Sequence, residues 1–183
     1  MTSAQLISWV VSAITFGTVI MFGCIGETIN QKAGNLNLGV PGIMQLGGIG
    51  ALTGAFIYES STATPNGTIG MICALLCAIL ASALGSLIYS FLTVTLKANQ
   101  NVTGLTLTIF GTGIANFFGG SLMKLSGGVG SISVATTANV FKLRLPFISG
   151  KLGLFGSLFL NYGWMAYFCL VLAFVANYFL TKT

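Results

Sequence analysis

The chain has 183 residues, of which 55% are hydrophobic and 5% charged, and its seven basic and two acidic side chains leave a net charge of +5. Soluble domains carry about 25% charged residues, so a soluble domain is excluded: stretches that are apolar all round need lipid or a very large core, and the chain is too short for the latter. The basic residues are scattered rather than gathered into a patch, which excludes a nucleic-acid surface and suits a lipid bilayer.

The first apolar run, Leu6 to Ile25, is long enough to cross a hydrocarbon core, which takes about 20 helical residues. No Lys or Arg precedes it, and it exceeds the apolar part of a signal peptide, so it reads as a span. Next comes "GETINQKAGNLNLGVPGIM", Gly26 to Met44, with three asparagines, four glycines and one of the two acidic residues. Gly34, Gly39 and Gly42 each disfavour helix by about 1 kcal/mol relative to Ala, and Pro41 by about 3 inside a helix. A helix break is therefore predicted near residues 34–42, with a new helix starting at Pro41 to Gly42, where proline is tolerated. Such a break is either a turn among the headgroups or non-helical backbone sheltered by protein or facing a water-filled cavity, as in transporters built from discontinuous helices. A centred charge costs about 2.5–3.5 kcal/mol, which places Glu27 and Lys32 near an interface.

Four more runs follow: Leu36 to Tyr58, Gly67 to Leu96, Val102 to Gly120 and Gly156 to Leu180. The predicted fold is thus an all-α integral membrane protein with about five transmembrane helices and one broken helix, forming a single membrane domain over residues 1–183. In the third run Ala74, Ala78, Ser82, Ser86 and Ser90 recur every four residues, a stripe of small side chains that lets helices pack closely in lipid. Gly50 and Gly54 repeat the theme in the second. Cys24, Cys73, Cys77 and Cys169 lie within apolar runs and read as small packing residues. The longest polar segment, residues 121–150, contains "VFKLRLPF", whose alternation suits an extended or interfacial segment.

The chain contains no aspartate and no histidine, and its only carboxylates are Glu27 and Glu59. An acid and base pair, a nucleophile triad and a histidine metal site all lack their parts, and no GxxxxGK[ST] loop exists to hold nucleotide phosphates. No catalytic or metal-binding residue is assigned, and no cofactor. The spans carry no ionisable residue well inside, which disfavours proton coupling. A path for a neutral solute lined by Asn, Gln, Ser and Thr fits the inventory best.

"GETINQKAGNLNLGVPGIMQLGGIGA" resembles the signature of the permease subunits of ABC importers in the branched-chain amino acid, ribose and nucleoside group, and is most similar to the nucleoside branch. "NVTGLTLTIFGTGIANFFGG" resembles that branch's fourth span, and "NYFLTKT" the end of its fifth. The resemblance implies a multi-pass plasma-membrane protein of a bacterial-type importer, working with a second permease subunit, cytoplasmic ABC ATPase subunits that use ATP, and an extracytoplasmic solute-binding protein. It also implies an external N-terminus and an extracytoplasmic loop at residues 121–150. The path candidates are Asn35, Asn37 and Gln45 around the break, with Thr112 and Asn116 in the fourth span. Two departures stand out: Pro41 occupies the place where that branch commonly has glutamate, and the family continues beyond a fifth span into a cytoplasmic segment and further spans, so the chain reads as the N-terminal part of a longer permease. Two other readings stay open, a small membrane solute-binding subunit served by a separate energising module and a structural membrane subunit that moves nothing.

Overall fold

A computed structural model describes residues 3–125, 127, 132–142 and 162–182. Among these residues the helices are α1 (Ser3–Lys32), α2 (Val40–Ser61), α3 (Gly67–Ser90), α4 (Gln100–Leu125), α5 (Ala135–Phe141) and α6 (Trp164–Lys182), with a π-helical continuation of α3 over Phe91–Thr95. All but α5 are long and apolar enough to cross a membrane. The all-α membrane architecture with five spans is as expected, and no strand occurs among the described residues. The chain divides into two compact units, one made of residues 1–33 and 141–183, the other of residues 34–140.

In the first unit, α1 continues past the apolar run through the Glu27 region to Lys32. One glycine costs a helix only about 1 kcal/mol, and Gln31 Nε2 donates to Glu27 Oε1 one turn earlier at 3.2 Å, a supportive i,i+4 pair. Ala33 N closes the last turn on Ile29 O and Asn30 O at 3.2 and 3.1 Å. Gly34 then takes φ +83°, a conformation that glycine adopts without steric cost and that commonly ends helices. α1 packs on α6. The fully buried Cys169 thiol points to Thr18 O at 3.8 Å, Phe22 meets Phe168 at 6.3 Å, and Lys32 Nζ donates to Leu180 O at 2.5 Å. That last contact puts a cation on the carbonyl end of α6, where the helix dipole favours it. Trp164 stacks on Phe141 with centroids 6.5 Å apart. The stretch from 156 to 161, expected to open the fifth span, lies outside the described residues.

In the second unit, α2 is the central helix, packed most extensively on α3 and next on α4. Its glycines mark both seams. A Cβ added at Gly50 would sit 2.7 Å from Ala81 Cβ and 2.8 Å from Cys77 O, and one at Gly54 would sit 2.7 Å from Cys77 Sγ. One at Gly47 would run into Ser82 Oγ. Backbones approach this closely in lipid only where side chains are small.

Along the predicted stripe, Ala74 is buried, Ala78 and Ser82 are half-buried, and Ser86 and Ser90 are exposed. The reason is helical geometry: steps of four residues overshoot a 3.6-residue turn by about 40° each, so the row drifts by about 160° from first to last. The buried face passes instead to Gly85 and Tyr89.

Residues 121–150 hold one element that the sequence does not announce. α5 packs against the start of α3, where a Cβ on Gly67 would lie 2.9 Å from Thr136 O, and one on Gly70 would collide with Thr137 Oγ1. Glu59, near the end of α2, accepts the Thr137 N–H at 2.7 Å, an acidic cap on the first turn of a short helix. Within "VFKLRLPF", Val140 and Phe141 therefore close a helix rather than open an extended segment, Lys142 is a turn, and the remainder lies outside the described residues.

Candidate functional site

The predicted break is present and narrower than residues 34–42: helix stops at Lys32 and resumes at Val40, with Pro41 in the first turn of α2. The backbone between them is paired by the α3–α4 hairpin. Leu36 N donates to Gln100 Oε1 at 3.1 Å, and the Tyr89 hydroxyl donates to Leu36 O at 2.9 Å. Thr108 Oγ1 donates to Leu38 O at 2.9 Å. Asn37 Oδ1 accepts the Gly39 N–H at 2.8 Å, an Asx turn that leads into α2. Gly39 O then accepts from Ile43 N at 3.0 Å, starting the helical ladder.

The segment lies along the flank of α4 rather than beyond its end. Its partners run from Gln100 to Thr108, eight residues or about 12 Å of helix rise. Non-helical backbone at such depth survives only when protein satisfies its polar groups, and here neutral side chains do so without burying a charge.

Glycines on α4 allow the approach. A Cβ on Gly104 would stand 2.8 Å from both Leu38 N and Gly39 N. One on Gly42 would strike Leu107 O and lie 2.6 Å from Thr108 Cα, and one on Gly111 would strike Gly42 O and lie 2.8 Å from Gly42 Cα. Gly39, Gly42, Gly104 and Gly111 are thus contact points between two backbones, a role distinct from breaking helix. Gly104 and Gly111 escaped sequence reasoning, although their spacing of seven residues, two helical turns, was a visible signal.

The five path candidates fall into two groups. Asn35 and Asn37 sit in the extended segment, half-buried, with Asn35 Oδ1 3.3 Å from the Tyr89 hydroxyl. That hydroxyl has one proton, and the shorter contact to Leu36 O takes it. Gln45, Thr112 and Asn116 lie further along α2 and α4. Thr112 returns its hydroxyl to Thr108 O at 2.8 Å, a bond within its own helix. Gln45 and Asn116 are exposed, and among the described residues neither amide has a hydrogen-bond partner. Tyr89, Gln100 and Thr108 complete the site and were not foreseen, because nothing local marks a side chain that will meet backbone 53 to 70 residues away.

Residues 9–183 match the family described as the permease component of branched-chain amino acid transport systems. Over 120 residues the chain is 33% identical to a Haloferax volcanii protein that carries the provisional name glucose ABC transporter permease. That alignment covers 63% of this chain and 32% of the relative, so the match spans about a third of the relative's length. No solved structure matches the chain significantly.

Proposed function

Because the chain belongs to the family of permease components of branched-chain amino acid transport systems, we propose that it forms part of the solute path of an ATP-driven importer for a small, polar, sugar-bearing solute, a nucleoside first and a hexose next. It is a multi-pass plasma-membrane protein of a transporter family. The observation that carries it is Asn116. This exposed amide stands 16 residues into a 26-residue spanning helix and has no partner among the described residues. An amide left against hydrocarbon without a hydrogen bond costs roughly 2–7 kcal/mol, so it calls for water, solute or a polar partner.

Substrate class follows from chemistry and likeness together. The candidate path offers amides and hydroxyls and no carboxylate, which suits the hydroxyl-rich ring shared by nucleosides and hexoses. The first motif resembles the nucleoside branch, while the Haloferax relative is named for glucose, and a sugar ring is common to both. Pro41 removes a polar contact that a glutamate would make there, which favours reading the sugar rather than a base.

In this scheme a solute-binding protein delivers the solute to the outer face, near residues 121–150, two permease subunits enclose the path, and partner ATPases hydrolyse the ATP. The extended segment from Asn35 to Gly39 is the rigid wall of the path, and Asn116 and Gln45 line it. The test is uptake of labelled uridine and of labelled glucose by vesicles holding the complete transporter. Asn37→Ala and Asn116→Ala should abolish most uptake at unchanged membrane level. Full uptake by both variants would refute the path assignment, and failure of either solute to enter or compete would refute the substrate class.

A further inference from the structure

α3 and α4 each pack on α2 far more than on one another, so the two splay apart and leave an open slot between them of about 340 Å³. Its walls include Ile88 and Leu92 from the end of α3 and its π-helical continuation, and Val102, Thr106, Leu107 and Phe110 from α4. No charged side chain lines it, and Thr106 returns its hydroxyl to Val102 O at 2.9 Å. The interior is therefore apolar.

The slot runs along α3 and α4 from the turn that joins them. α3 and α4 are consecutive spanning helices, so the turn between them lies at a membrane face, and in that turn stands Lys97, exposed, at φ +53°. Among the described residues Lys97 makes no hydrogen bond or ion pair. It lies five residues from Leu92 on one wall and five from Val102 on the other. From Val102 the α4 wall runs eight residues to Phe110, about 12 Å, against about 15 Å for one leaflet of a 30 Å hydrocarbon core.

An apolar slot nearly one leaflet deep, headed by an unpaired cation at the interface, has the shape and polarity of an amphiphile. We propose that it holds an acyl chain of an anionic phospholipid, with Lys97 against the headgroup phosphate. Charge complementarity selects the headgroup, since a basic residue at the surface favours anionic lipid. None of Asn35, Asn37, Gln45, Thr112 and Asn116 lines the slot, and Tyr89, which also pairs the backbone of the extended segment, stands on its wall.

The test is native mass spectrometry of the full chain, extracted in mild detergent and offered equal amounts of phosphatidylglycerol and phosphatidylcholine with identical acyl chains. One phosphatidylglycerol should be retained with about fivefold preference over phosphatidylcholine, the factor that one surface lysine supplies. Val102→Trp, which fills the slot from an exposed position, should lose the retained lipid. Lys97→Asn removes the charge with a residue that tolerates positive φ, and should keep a lipid while the preference falls to parity. This second variant leaves the packing untouched, so it decides the matter if the tryptophan variant fails to fold. Absence of a retained lipid, equal retention of the two lipids by the parent chain, or undiminished preference in Lys97→Asn would each overturn the proposal, the first by pointing to a protein occupant instead.

Discussion

The two ends of α2 each hold a segment that does not span, and they hold it with different chemistry. At the N-terminal end, Tyr89, Gln100 and Thr108 pair the backbone of residues 36 and 38, and glycines on α2 and α4 bring backbones into contact. At the C-terminal end, one carboxylate, Glu59, reaches the first turn of α5. Neutral bonds contribute only about 1 kcal/mol each, and rather less in membranes on average, but they bury no charge and can be set against apolar helices. A bond to a charged group contributes about 1.5–3 kcal/mol, and a carboxylate belongs where water can reach it. The N-terminal end therefore depends on close geometry shared among several weak ties, whereas the C-terminal end adds the charge of one side chain to close contacts at Gly67 and Gly70.

Substitutions separate the two designs. The largest effect is expected at the backbone contact: Gly111→Val, whose Cβ would strike Gly42 O, should lose about 3 kcal/mol or fail to fold, since overpacking against unyielding backbone is at the upper end of core effects. Thermal unfolding in detergent reads this directly, and a melting temperature like that of the parent would show that the α2–α4 seam can open without loss. Next comes Glu59→Ala. Loss of a charged cap worth about 2 kcal/mol should raise amide exchange at Thr137 roughly 30-fold, leaving the N-terminal segment unchanged. Glu59→Gln keeps an acceptor and should fall between the two.

Tyr89→Phe is smaller, about 1 kcal/mol, because Gln100 and Thr108 still hold the segment. Faster exchange at the neighbouring Leu36 and Gly39 amides, with Thr137 unaffected, is the expected signature. An effect of Tyr89→Phe as large as that of Glu59→Ala would mean that the N-terminal end hangs on one bond after all. The smallest effect belongs to Ser86→Leu, within about 0.5 kcal/mol, since Ser86 is exposed and off the contact face. Ser82→Leu, directed at Gly47, should instead destabilise strongly, and the pair checks where the stripe leaves the interface.

Much of this was legible residue by residue. Gly34, Gly39 and Pro41 announce a break because their backbone preferences act locally, and the Gly50–Gly54 pair announces a close contact because two glycines one turn apart leave a helix face bare of side chains. α5 was not legible. Thr136, Thr137, Asn139 and Val140 are indifferent helix formers, and the carboxylate that caps the helix lies 78 residues earlier. The stripe from Ala74 to Ser90 was legible as a row but not as a face, because repetition every four residues looks continuous in sequence while it turns around the helix.

The sequence by itself determined the solvent, the number of spans and the position of the interruption. Lipid offers no hydrogen bonds, so each spanning segment must satisfy its backbone internally and remain apolar over its length, and both requirements are written in consecutive residues. Tertiary structure decided which glycines touch backbone, which hydroxyls and amides complete the interrupted segment, and where α3 and α4 part to leave a slot. Those outcomes rest on side chains and backbone brought together from about 10 to 80 residues apart, and their identity depends on the rotation of each helix about its axis, which a sequence this uniformly apolar leaves nearly unmarked.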